Sequence, residues 1–191
     1  MTLLQVMADS DAADVRLRTD NPTQIGAELA KHDIVFDRWP TLPGLGASAP
    51  TEGILAGYDD RIAELNADGR YQVIDVARLH PDDADPRWPA LASAAREKFR
   101  SEHRHAEDEV RFFAAGRGCF YLHLDHDVVA VVCTAGDLLS VPAGTRHWFD
   151  MGERPDFVAI RFFEQQDGWI GDFTGDPIGE RFPTLDELVA A

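Results

Sequence analysis

Glu102-His103-Arg104-His105-Ala106-Glu107-Asp108-Glu109-Val110-Arg111 is the stretch on which the reading of this chain turns. Two histidines stand two apart, and a glutamate follows the second by four positions. In an extended strand residues i and i+2 point to one face, so His103 and His105 can share one ligand. Glu109 keeps that parity if the strand runs on. If Ala106-Glu107-Asp108 instead turns the chain, Glu109 opens the next strand, and the small and polar character of those three residues favours a hairpin tip. A third imidazole, His147, comes from a second cluster, Gly136-Asp137-Leu138-Leu139-Ser140-Val141-Pro142-Ala143-Gly144-Thr145-Arg146-His147, where a Pro-x-Gly turn follows a strand-like run. Three imidazoles and one carboxylate suit a borderline divalent ion such as Fe, Ni, Mn, Co or Zn.

Around these clusters the chain changes character. After residue 102, strand-like runs follow quickly over 109–114, 118–125, 128–133, 137–141, 147–150 and 157–164, separated by Gly and Asp turns, as in an antiparallel barrel or jelly roll. Val128-Val129-Ala130-Val131-Val132-Cys133 is apolar at every position and is expected to be buried on both faces. Before residue 102, short strands are expected over 2–8, 14–18, 34–39 and 71–79. Helices are expected over 23–32, after the N-cap and N1 proline of Asn21-Pro22, and over 51–66, where Ile54, Leu55, Tyr58, Ile62 and Leu65 recur at helical spacing. Asp85-Pro86 opens a third helix with Trp88, Leu91, Ala95 and Phe99 on its apolar face. Beyond Phe163 the chain reads as loose and Gly-rich until Thr184-Leu185-Asp186-Glu187, a capping box that starts a short last helix. No hinge divides the sequence, so 1–191 is expected to be a single domain of mostly β, α+β class. Its expected parts are a helix-rich 1–100 with some strands, a metal-binding core over 102–164 and a tail over 165–191.

Composition narrows the function. A chain of 191 residues, 45% hydrophobic and 27% charged, has the make-up of a soluble globular protein. It has no apolar run of the ~18 residues a membrane span needs. A net charge of −16 argues against nucleic-acid or anionic-membrane partners, which call for clustered cations. Met1-Thr2-Leu3-Leu4-Gln5 has no basic region ahead of its apolar stretch, so a cytoplasmic location without a signal peptide is expected. Cys119 and Cys133 lie in apolar strands and read as buried thiols. Among the other histidines, His32 and His80 fall at element ends and His126 in an acidic turn. His123, within Phe120-Tyr121-Leu122-His123, is the one rival ligand.

His103-x-His105-x3-Glu109-x6-Gly116 resembles the first cupin motif, and Gly136-x5-Pro142-x-Gly144-x2-His147 the second, over roughly 102–164. Two departures stand out: Glu97 occupies the place of the glycine that usually opens the first motif, and the Asn that often follows the last histidine is absent, with Asp150 in that area. Within the cupins the chain resembles the acireductone dioxygenases of the bacterial type, through Glu109-Val110-Arg111-Phe112, through Val141-Pro142-Ala143-Gly144-Thr145-Arg146-His147-Trp148-Phe149-Asp150-Met151-Gly152 and through the helical N-terminal half.

That resemblance implies a cupin jelly-roll β-barrel with flanking helices, and one Fe(II) or Ni(II) per chain held by His103, His105, Glu109 and His147. It implies substrate contacts from Phe99, Arg111, Phe149, Arg161 and Trp169, and a monomer. The implied reaction is cleavage of 1,2-dihydroxy-3-keto-5-methylthiopentene by O2 in methionine salvage. With Fe(II) it gives formate and 4-methylthio-2-oxobutanoate; with Ni(II) it gives formate, CO and 3-methylthiopropanoate. On this reading Arg111, at the parity of Glu109, orients the substrate's anionic oxygens, and Arg161 supports Glu109 from behind. Phe149 and Trp169 wall the methylthio tail. The alternatives are another single-cupin metal-dependent oxygenase, or a cupin that binds metal or a small molecule without turnover.

Overall fold

The computed structural model describes residues 1–191. In chain order its strands are β1 (Leu3–Ala8), β2 (Asp11–Thr19), β3 (Val35–Arg38), β4 (Val73–Leu79), β5 (His103–Arg104), β6 (Glu109–Leu124), β7 (Asp127–Thr134), β8 (Asp137–Val141), β9 (Arg146–Asp150), β10 (Phe157–Phe163) and β11 (Asp172–Phe173). The helices are α1 (Pro22–Leu29), α2 (Thr51–Gly57), α3 (Asp59–Leu65), α4 (Trp88–Arg100) and α5 (Leu185–Ala190). No helix is long and apolar enough to cross a membrane.

The long strand β6 organises the sheets. Its first half pairs with β8 and β10, and its second half with β7 and β9. One sheet therefore runs β11-β5-β9-β6-β7-β1-β2, while β4-β10-β6-β8-β3 makes the other. The two strands expected over 109–114 and 118–125 are one bent strand, because backbone pairing continues through the bend. Gly116 makes the bend possible: its φ is +70°, and a Cβ there would lie 1.9 Å from the Asp156 carbonyl oxygen.

Alternation along the strands distributes side chains among three apolar layers. Phe113, Phe120, Leu122, Val129, Val131, Leu139 and Ala159 meet between the sheets. Val110, Phe112, Leu138, Ile160 and Phe162 point the other way, against Ile54 and Tyr58 of the helical N-terminal half. Cys119, Tyr121, Val128, Ala130, Val132 and Trp148 cover the remaining outer face together with Ile178, Phe182, Leu185 and Leu188. The strand 128–133 is thus buried on both faces, and the tail from Pro177 is a packed layer rather than a loose end. Cys119 and Cys133 are free buried thiols on opposite faces of their sheet.

The helices depart from the sequence reading in two places. The stretch 51–66 breaks at Tyr58, whose φ of −108° leaves the helical region while its buried ring packs on Phe112, with centroids 4.7 Å apart. In α4 the inward face is Ala92, Ala95 and Phe99, and Leu91 is 53% exposed. At the other end of the chain, Thr184 and Glu187 form the expected capping box.

Asp150 ties helix, strand and tail together. Its 1%-exposed carboxylate accepts two bonds from Arg96 on α4, at 2.6 and 3.0 Å, and one each from the amides of Gly152 and Leu185. Burial alone would raise this carboxyl, but Arg96 and the two amides outweigh it and hold it below its ordinary value. A depressed folded value means that its stabilisation is fully present above the unfolded pKa of about 3.9 and is lost as pH falls through the folded value. Asp150→Ala leaves the largely buried Arg96 unpaired. It is expected to cost about 3–5 kcal/mol and to lower Tm by on the order of 10 °C, as thermal unfolding at neutral pH would show.

Candidate metal centre

The four expected ligands converge, from positions the strand pattern only partly foresaw. His103 on β5 and His147 on β9 are direct cross-strand partners, with ring centroids 4.5 Å apart. His105 lies just past the end of β5 and is held there by the Gly144 amide, which donates to its carbonyl at 2.9 Å. The turn 106–108 does not close a hairpin, since β5 and β6 never pair. It carries the chain from one sheet to the other, so that Glu109, first residue of β6, faces the histidines from the opposite side. One ring nitrogen from each of His103, His105 and His147 lies within 4.8 Å of the others, and all three residues are buried.

The hydrogen bonds behind these rings fix their tautomers. Nδ1 of His103, His105 and His147 lies 2.8, 3.0 and 2.8 Å from the carbonyl oxygens of Ser101, Ile170 and Thr145. A carbonyl only accepts, so each Nδ1 carries the proton and each Nε2 presents a lone pair. Glu109 is oriented in the same manner: Oε1 accepts from Arg111 Nη2 at 2.7 Å, which leaves Oε2 free. That oxygen is 2.7 Å from His147 Nε2 and 3.9 Å from His105 Nε2, yet Glu109 Oε2 and His147 Nε2 are both buried without a hydrogen-bond partner. Acceptor lone pairs aimed at one point, each costing about 1–3 kcal/mol unpaired, fit a divalent cation between them.

Electrostatics agrees with that fit for two of the three imidazoles; burial would lower His147, but the adjacent Glu109 carboxylate outweighs it and raises it. Burial, reinforced by the neighbouring His147, pushes His103 down to about 4, and burial also lowers His105, so both are neutral ligands at ordinary pH. Burial would raise the Glu109 carboxyl, but Arg111 and the imidazoles reverse it and keep it ionised.

Beside these four side chains lies a cavity of about 100 Å³ that His103, His105 and Glu109 help to line, with Phe99 and the exposed Lys98 and Trp169 at its rim. Arg111, Phe149 and Arg161 line it with Phe99 and Trp169, so all five expected substrate residues are on its wall. Their pairings differ from expectation. Arg111 supports Glu109 and also donates to the Val110 carbonyl at 3.0 Å. Arg161 does not reach Glu109; it forms a two-point ion pair with Asp75, its cross-strand neighbour on β4, at 2.7 and 2.6 Å. His123 lies outside the imidazole cluster: its Nδ1 is 2.5 Å from Oε1 of the buried Glu102, which also accepts from Thr174.

Sequence reasoning missed Phe113, Phe120, Met151 and Phe157 in the wall, and Lys98 at the rim, over the rings of Phe99 and Trp169 at 5.2 and 5.1 Å. Their parity with Glu109 and His147 was the available signal for Phe113 and Met151. It missed Glu107 as well, whose buried carboxylate accepts from the amides of Glu164 and Gln165 and so holds the segment that brings Ile170 to His105.

Comparison with known proteins places the chain. The model of the ARD/ARD' family matches residues 4–171. Acireductone dioxygenase 2 of Nocardia farcinica is 70% identical over 191 residues, the full length of both chains. The acireductone dioxygenase of Saccharopolyspora erythraea is 50% identical, again over the full length of both. A solved structure of an acireductone dioxygenase from Bacillus anthracis, with a cadmium ion in its active centre, superposes with a TM-score of 0.74 at 27% identity, covering 91% of this chain and 98% of that one. Matched end to end by such relatives and sharing their fold, this chain belongs to the ARD/ARD' family, the acireductone dioxygenases.

Proposed function

We propose that this chain cleaves 1,2-dihydroxy-3-keto-5-methylthiopentene with O2 in methionine salvage, as a cytoplasmic monomer holding one Fe(II) or Ni(II) through His103, His105, Glu109 and His147. With Fe(II) the products are formate and 4-methylthio-2-oxobutanoate; with Ni(II) they are formate, CO and 3-methylthiopropanoate. The observation that carries this reading is the set of lone pairs, three Nε2 and Glu109 Oε2, converging at the polar end of an otherwise apolar cavity.

The bound divalent ion supplies Lewis acidity and a template for the oxygens of an electron-rich ene-diolate. The chain's own residues do the rest. Ser101, Ile170 and Thr145 fix the imidazole tautomers through their carbonyls, and Arg111 turns one Glu109 oxygen inward. Lys98, with no carboxylate within ion-pair distance, meets the anionic substrate at the rim, while Arg161, held by Asp75, places further positive charge on the wall. Phe99, Phe149 and Trp169 shield the reacting carbons from water and receive the methylthio tail.

The test is an aerobic assay of Fe(II)-loaded protein with the acireductone, following oxygen uptake and products. Formate with 4-methylthio-2-oxobutanoate is the expected result. No uptake with the metal verified in place would overturn the reading and bring forward a cupin acting on another substrate or on none.

A further inference from the structure

Three strands lay the same gradient along the cavity. On β6, Glu109, Arg111 and Phe113 follow one another at every second position. On β10, Arg161 lies opposite Arg111 and Ala159 opposite Phe113, with Phe157 beyond. On β9 and just past its end, Phe149 and Met151 line the cavity two and four positions after His147. Each of the first two series begins with a charged residue, and all three end on an apolar one. The cavity therefore has a polar end at His103, His105 and Glu109 and an apolar end at Phe113, Phe157 and Met151.

Met151 is one of the residues lining the apolar end. It is 3% exposed, and it lines a second cavity of about 390 Å³ on its other side. That second space opens to solvent and is largely polar-lined: Gly116 and Arg117 at the bend of β6, the exposed Arg154 and Asp156, and Leu185 and Asp186 of the tail bound it. One unbranched side chain thus separates the small reaction cavity from a larger space. Its neighbours at that end are rings that hold one another, with Phe149 4.9 Å from Phe120 and 6.0 Å from Phe157 between centroids. Of the residues at the apolar end, only Met151 borders both cavities.

We infer that Met151 is the gauge for the length of the substrate's apolar tail: the methylthio group ends against it, and the space behind it is closed to longer tails. This rests on the dioxygenase reading and deepens it by naming the residue that selects among acireductones. A flexible thioether fills such a gap where a branched residue would not, and a hydrophobic wall discriminates against one surplus methylene by about 10- to 200-fold.

The test compares wild type, Met151→Ala and Met151→Phe, each metal-loaded, using acireductones with methylthio, propylthio and butylthio tails. Aerobic kcat/KM and anaerobic substrate affinity are both read. In Met151→Ala the butylthio-to-methylthio ratio of kcat/KM should rise about tenfold or more, with affinities moving in parallel. In Met151→Phe it should fall, so the prediction stays open to test even if the alanine variant folds poorly. A ratio unchanged in the variants while wild type turns over the methylthio substrate would overturn the gauge and leave the dioxygenase standing. A wild type that neither binds nor turns over any of the three would overturn both.

Discussion

His103→Ala and His147→Ala are each expected to leave protein that folds but purifies with little metal and has no measurable dioxygenase activity. Both side chains are buried, cross-strand partners, each backed by a carbonyl that fixes its tautomer. Removing one takes a lone pair from a set of four and opens a small void beside Glu109. Changing a residue that merely supports a ligand costs about 10–100-fold in metal affinity. Loss of a ligand should exceed that, and metal content after dialysis against a weak chelator reads it directly. The control is His123→Ala. That histidine is also buried and also bonded to a carboxylate, but it serves Glu102 and Thr174. Its loss should lower Tm and leave metal content near one per chain. A His103→Ala protein retaining full metal and activity, or a His123→Ala protein that loses metal as His103→Ala does, would remove the ligand assignment.

The convergence of these four side chains was legible in the sequence because it rests on short-range spacing. His103 and His105 stand two apart, Glu109 follows a polar turn, and His147 follows a Pro-x-Gly turn; none of these needs knowledge of which strands pair. The partners behind the ligands were not legible, because they are set by register between distant strands. Asp75 meets Arg161 only because β4 pairs with β10, 86 positions away in sequence. The cavity wall was hidden for another reason. In β6, Val110 and Phe112 point outward and Phe113 inward, yet both faces are covered, so the apolar pattern has no polar side to mark the interior. The packed tail escaped notice because its four core residues, Ile178, Phe182, Leu185 and Leu188, are spread through a segment that opens with glycines and acids.

Arg111 offers the sharpest separation between two kinds of contribution. The sequence suggested a group that orients substrate oxygens; in the fold its guanidinium is buried, donates to Glu109 and to the Val110 carbonyl, and lies 4.9 Å above the Phe163 ring. Arg111→Ala removes the only cation paired with Glu109, so its carboxylate is no longer turned to aim one oxygen at the histidines. By the measure of such supporting residues, metal affinity should fall about 10–100-fold. Because the metal stabilises the fold by RT ln(1 + [metal]/Kd), a loss of that size removes about 1.4–2.7 kcal/mol of metal-dependent stabilisation at fixed excess metal. The gap in Tm between metal-loaded and metal-free protein should shrink accordingly. Arg111→Lys keeps the charge but not the fork that serves two acceptors at once, so it should fall between the two. A variant that binds metal as tightly as wild type but shows a raised KM and lowered kcat would assign Arg111 to the substrate instead. Glu109 would then hold its orientation through the rigid start of β6 alone.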